Sequence, residues 1–225
     1  MLGRSHALSG LVTGAAVGEF VLHLGPAGAA TLATFTGCFA TLPDIDTCQS
    51  TVARSLGFLS GGFAWIVHKI SGGHRHATHS VLGVAVFTAL AWLCCTFRHT
   101  VPGHWALALL LALAFAAGLR ALRIGGHAAD LLALGAAFAV GWEGWSLALI
   151  PLACGLGCLT HIAGDMLTVQ GCPLAWPVST RHFGLPRPVG FTTGTFPERW
   201  LVAPALLAAL GFLVWHEAML TGHGI

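Results

Sequence analysis

The chain has 225 residues, of which 56% are hydrophobic and only 8% charged, against about 25% charged in soluble domains. A mean hydropathy of +0.80 and 30 glycines exclude an ordinary soluble globule and point to a polytopic membrane protein. The length suits a single membrane-embedded domain, 1–225, and a net charge of +2 gives no reason to expect nucleic acid as a partner.

Apolar runs broken by glycine, proline and charge predict an all-α chain of about seven spans. In order they are 6–24, 28–43, 78–97, 104–119, 128–141, 147–168 and 200–220. No small-residue cleavage site follows Arg4, His6 and Leu8, so the first segment is expected to stay. Arg54 to Ile70 mixes Phe58, Leu59, Phe63, Trp65 and Ile66 with Lys69, as an interfacial amphipathic helix does. Residues 169–199 form a long polar loop rich in proline and glycine, not helical throughout.

Alternating crossings place nine of the ten basic residues on the side of the N-terminus and leave Arg98 alone on the other. The positive-inside rule then puts the N-terminus and the loops 44–77, 120–127 and 169–199 in the cytoplasm. Trp105, Trp142, Trp145 and Trp215 fall towards the opposite interface.

The same arrangement gathers the chemistry at the cytoplasmic ends of the spans. His6 opens the first, Asp44 and Asp46 close the second, and His74 and His79 open the third. His161 and Asp165 lie near the end of the sixth, and Glu198 opens the seventh. His161 and Asp165 are i and i+4 on one helix face, able to reach one cation or simply to pair within a bundle. Two carboxylates at a helix C-terminus oppose the dipole, so capping does not explain Asp44 and Asp46. Around His74, Ala77 or Thr78 can start the third helix, and Gly72 and Gly73 free the backbone. Glu198 reads equally as the last residue of a Thr195-Phe196-Pro197-Glu198 capping box. His127 with Asp130 starts another span, Asp130 serving the helix dipole, and His23, His68, His99, His104, His182, His216 and His223 read as scattered.

Mixed nitrogen and oxygen donors suit zinc first, with manganese or iron as alternatives, and not calcium. So many candidate ligands favour two divalent ions, the usual arrangement for displacement at phosphorus. Arg75, Arg181 and Arg187 offer forks for a phosphate. The seven cysteines show no CxxC spacing. Cys154 and Cys158 share a helix face but read as small hydrophobes.

At these motifs the chain resembles the YdjM family, LexA-regulated membrane-bound proteins predicted to be metal-dependent hydrolases. The likeness runs through His6, Leu42-Pro43-Asp44-Ile45-Asp46, Gly73-His74-Arg75, Thr78-His79-Ser80 and His161-Ile162-Ala163-Gly164-Asp165-Met166-Leu167-Thr168, then Gly171, Pro177 and Glu198. It implies an inner-membrane hydrolase with a core distantly like zinc-dependent phospholipase C. His76 stands where such sequences carry glycine and is left out of the ligand set.

The expected activity is hydrolysis of a phosphoester in a lipid or lipid-linked substrate at the cytoplasmic face. Metal ligands would be His6, Asp44, Asp46, His74, His79, His161, Asp165 and Glu198. Arg75 would neutralise developing charge, and Asp46 or Glu198 would act as base. A metal-ion transporter or sensor using the same cluster is the rival. Transporters place such groups near the bilayer midplane, whereas here they gather at one end.

Overall fold

The computed structural model describes residues 1–126, 131–137 and 147–222. His127, Asp130, Trp142, Trp145, His223 and part of the expected span 128–141 lie outside the described residues. Among those described the regular elements are helical, with only two isolated bridges, Thr168 to Phe191 and Cys172 to Phe183.

Helix α1 (Gly3–Ala16) runs on into a π-helical turn, Val17–Val21, and α2 (Gly25–Phe39) folds back against it. Glycine sets how closely they approach. A Cβ on Gly10, Gly14 or Gly18 would sit within 2.7 Å of α2 atoms at Thr36, Leu32, Ala33 and Ala29. Small residues every fourth position let two backbones touch where lipid supplies no hydrophobic drive. At the far end of this hairpin Glu19 pairs with His216, a histidine with no evident role in the sequence.

Pro43 ends α2, and Leu42–Asp46 winds into a 3-10 turn. Helix α3 (Phe58–Ser71) occupies the C-terminal part of the expected interfacial segment and stops at Gly72, which has φ +82°. Only glycine adopts that left-handed conformation without steric cost. Ala77–His79 forms a second 3-10 turn. The next helix, α4 (Val81–Thr96), starts later than Ala77 or Thr78, because the Ser80 hydroxyl caps it by accepting from the Gly83 amide at 3.1 Å. His79 therefore lies just outside the helix. Then follow α5 (Val101–Ala121), α6 (Leu149–Met166) and α7 (Ala203–Gly222), the last entered through a π-helical turn at Glu198–Val202.

Among the described residues three helices are long and apolar enough to cross a membrane: α5, α6 and the segment Glu198–Leu220. The expected spans at 6–24, 28–43 and 78–97 appear as shorter helices. At ~1.5 Å per residue, one of about 15 residues falls short of a hydrocarbon core of about 30 Å. Leu32, Phe39, Leu107, Leu111 and Ile150 pack the interior. Val86, Leu90, Trp92, Leu109, Leu207, Phe212 and Trp215 stay exposed on the outside, as lipid-facing side chains do. Cys154 and Cys158 are buried in α6 and all seven cysteines are free. Residues 169–195 contain turns and no helix, as expected.

Candidate metal centre

Alternating helix directions bring the start of α1, the end of α2, the start of α4 and the end of α6 to one end of the bundle. Gly157 is what allows α6 to reach the end of α2: a Cβ there would meet Thr36 O and Ala40 N at 2.8 Å. One turn further along, the His161 Nδ1 lies 2.7 Å from the Ala40 carbonyl oxygen. A carbonyl only accepts, so Nδ1 donates and the neutral ring keeps its lone pair on Nε2.

His79 is fixed in the same sense from another element. Thr78 donates its hydroxyl proton to Asp46 Oδ2 at 2.5 Å and lies 2.9 Å from His79 Nδ1, itself 3.2 Å from Asp46 Oδ2. Nδ1 thus donates to this pair, and Nε2 is left bare. The two Nε2 atoms of His79 and His161 then face each other at 3.1 Å. Two lone pairs at that distance repel unless a proton or a cation lies between them.

Two carboxylates complete the set. Asp44 Oδ1 is 3.5 Å from His79 Nε2 and 3.6 Å from His161 Nε2, and Asp165 Oδ2 is 3.7 Å from each. A tetrahedral zinc with bonds of about 2.0–2.1 Å has ligand–ligand edges of roughly 3.3–3.4 Å. The donor chemistry and spacing fit a small divalent ion. Two triads among the described residues could hold metal: His6, His161 and Asp165, and Asp44, His74 and His79.

Around these donors lies a buried supporting layer. Asp46 is fully buried and receives the His74 Nδ1 at 2.8 Å and the Arg75 amide at 3.1 Å, besides Thr78 and His79. His68 Nδ1 donates to the Asp46 carbonyl at 2.7 Å, fastening α3 to the turn. The Arg75 guanidinium binds Asp165 Oδ1 at 2.9 Å and the Gly171 carbonyl at 3.3 Å, and the amino group of Met1 also contacts that carboxylate oxygen. The His6 ring stacks on His161 with centroids 3.6 Å apart, and its Nε2 lies 3.3 Å from Asp165 Oδ1, without a hydrogen bond to either nitrogen among the described residues. Asp44 and His74 are the most exposed members, with side chains at 23% and 38%, so the centre opens on their side.

Burial pushes the Asp44 and Asp46 carboxyls up, but the surrounding histidines outweigh it and hold both below the ordinary carboxylate range. Burial pushes His79 down, but Asp44 and Asp46 outweigh that and raise it to about 9.

A family model matches residues 1–222, that of the YdjM inner membrane protein. The chain belongs to the YdjM family. No curated protein and no solved structure matches it. In this YdjM-family chain, seven of the eight expected ligands converge: His6, Asp44, Asp46, His74, His79, His161 and Asp165. Glu198 stands apart. Its two oxygens accept from the Leu2 amide at 2.5 Å and the Gly194 amide at 2.6 Å. The expected capping box does not close: the Thr195 amide donates to the Thr192 carbonyl at 3.2 Å and not to Glu198, whose oxygens are taken by Leu2 and Gly194. Arg181 and Arg187 are exposed in the 169–197 loop, Arg181 over the Phe183 ring. His76 turns towards the His74 carbonyl at 3.1 Å. His68 and the Ala40 carbonyl are invisible to sequence reasoning, since neither residue type in isolation marks a site.

Proposed function

We propose that the chain is a metal-dependent hydrolase of the inner membrane, cleaving a phosphoester in a lipid or lipid-linked substrate at the cytoplasmic face. The observation that carries the reading is the pair of bare Nε2 atoms on His79 and His161, flanked by Asp44 and Asp165. These four hold one divalent ion, zinc first among candidates. The same donors divide alternatively into two triads, His6, His161 and Asp165, and Asp44, His74 and His79, which would hold one ion each. A divalent ion so placed supplies a Lewis acid that activates water and polarises a phosphoryl oxygen.

The chain's own groups do the rest. Asp46 fixes the tautomer of His79, as carboxylates beside metal-bound histidines do. The same carboxylate accepts a hydrogen bond from His74 Nδ1, whose other nitrogen is then free to accept a proton from the attacking water. Arg75 balances Asp165, so its charge acts on the site through that carboxylate. Glu198 ties the start of the chain to the entry of α7.

A lipid substrate is supported by an apolar cleft of about 280 Å³ between α3 and α4. Phe63, Ile70, Leu82 and Phe87 line it together with Ala77 and Thr78, and the Thr78 hydroxyl bonds Asp46. The cytoplasmic assignment is supported by Arg4, Arg120, Arg123 and Arg199 at the same end of the bundle. The test is hydrolysis of a short-chain phospholipid and of a chromogenic phosphodiester by purified protein loaded with zinc or manganese. Activity should vanish on chelation and in His161→Ala. Hydrolysis that survives chelation would contradict the reading.

A further inference from the structure

A second cavity lies at the same end of the bundle, with a volume of about 610 Å³. It is an open cleft bordered by the start of α1, the end of α5 and the entry to α7. Arg4, Arg120, Arg123 and Arg199 line it, together with Thr51 and Trp200. No carboxylate side chain lines it among the described residues. The nearest in sequence, Glu198, is spent on the Leu2 and Gly194 amides.

The guanidinium groups of Arg4, Arg123 and Arg199 around one cavity repel each other, and an anion between them reverses the sign of that energy. Arg4 Nε is buried without a hydrogen-bond partner among the described residues, a cost that a ligand oxygen would relieve. Arg120 is oriented by its Nη1 bond to the Ser55 carbonyl. Arg123 holds a left-handed backbone, φ +67°, at the turn that closes α5. Planar guanidinium forks match the oxygens of a phosphate.

The position narrows the ligand further. Trp200 is 66% exposed and stacks near Phe196, as an aromatic at the headgroup level does. Leu2 and Gly3 form part of the wall, and none of the candidate metal ligands lines it. We infer that the arginine cavity binds a phosphate-bearing anion, at a site distinct from the metal centre and independent of any hydrolytic activity. That phosphate is supplied by a lipid headgroup or taken up as a free ion.

The experiment titrates full-length protein in an uncharged detergent with inorganic phosphate, short-chain phosphatidic acid and short-chain phosphatidylcholine. Binding is read by Trp fluorescence and native mass spectrometry. The titrations are repeated after chelation, which removes the metal centre as a phosphate acceptor. Saturable binding of phosphatidic acid should persist after chelation and weaken at least ~10-fold in the double variant Arg123→Gln, Arg199→Gln. Both side chains are exposed, so folding should survive, and metal content should match the wild type. Arg199→Lys, which keeps the charge and loses the fork, should weaken binding less. Competition by inorganic phosphate identifies a free-phosphate site, and its failure to compete identifies a headgroup site. Equal binding of phosphatidylcholine, or unchanged affinity in the double variant, would overturn the inference.

Discussion

His79 and His161 meet through their Nε2 atoms at 3.1 Å, each with its Nδ1 already committed to an oxygen acceptor. The two rings come from a short 3-10 turn and from a helix 82 positions further along the chain. Without metal, one proton must sit between them, and the elevated His79 supplies it. Proton and metal thus compete for one place.

That competition predicts a pH dependence. His79, raised from 6.5 to about 9, is protonated at neutral pH in the metal-free protein. Binding a cation expels this proton, so apparent affinity should rise with pH, by ~10-fold per unit for one proton, up to about 9. The metal-free fold should show the opposite trend. A raised pKa adds stability that is full below about 6.5 and lost as pH climbs towards 9. Chelator-competition titrations at several pH values read the first effect, and thermal unfolding of stripped protein reads the second. Affinity that does not change with pH would contradict a shared place.

The supporting role of Asp46 separates it from Asp44. Asp46→Ala should lower metal affinity by ~10–100-fold, the usual cost of losing a carboxylate behind a ligating histidine. Asp44→Ala removes a donor and should cost more. Equal losses, or a larger loss at Asp46, would place Asp46 on the metal itself. Metal content after graded chelation distinguishes the cases.

Glu198→Gln tests a tether against a ligand. Glutamine offers one oxygen where the carboxylate offers two, so the Leu2 or the Gly194 amide loses its partner. A buried unsatisfied amide costs about 1–3 kcal/mol, and the melting temperature should drop. Metal content should stay at the wild-type level. A well-folded variant that has lost its metal would return Glu198 to the ligand set.

Much of this site is legible in the sequence because membrane burial makes charge expensive, and few polar groups survive there without a shared purpose. Seven of the eight candidate ligands stand out by their positions at span ends, and they do meet. Glu198 reads as a ligand by its place at the start of a span, whereas the partners the structure gives it are the Leu2 and Gly194 amides, which no side-chain pattern reveals. The start of α4 falls a few residues later than expected because Ser80 and Thr78 are both credible caps, and the network of Asp46 claims Thr78. Arg4, Arg120, Arg123 and Arg199 are scattered along the chain and signal only topology there, since their convergence depends on how α1, α5 and α7 pack.

The close approach of α1 and α2 predicts a steric test of the scaffold. A Cβ on Gly14 would stand 2.6 Å from Ala33 Cα, a backbone atom that cannot step aside. Gly14→Ala should therefore destabilise by ~1–3 kcal/mol and disturb His6 two turns away. Gly62 in α3 has open space around it, and Gly62→Ala should be neutral or stabilising by up to about 1 kcal/mol. Thermal unfolding in detergent compares the two, and equal behaviour would argue against so close a packing of α1 on α2.

Metal content of the purified protein tests the shared centre most directly. Elemental analysis of the wild type and of the double variant His79→Ala, His161→Ala, both prepared in the presence of zinc and then dialysed, measures it in one step. Divalent metal held at one to two ions per chain by the wild type, and lost from a variant that still folds, is the predicted result. A wild type that retains no metal, or a variant that retains as much, would contradict it.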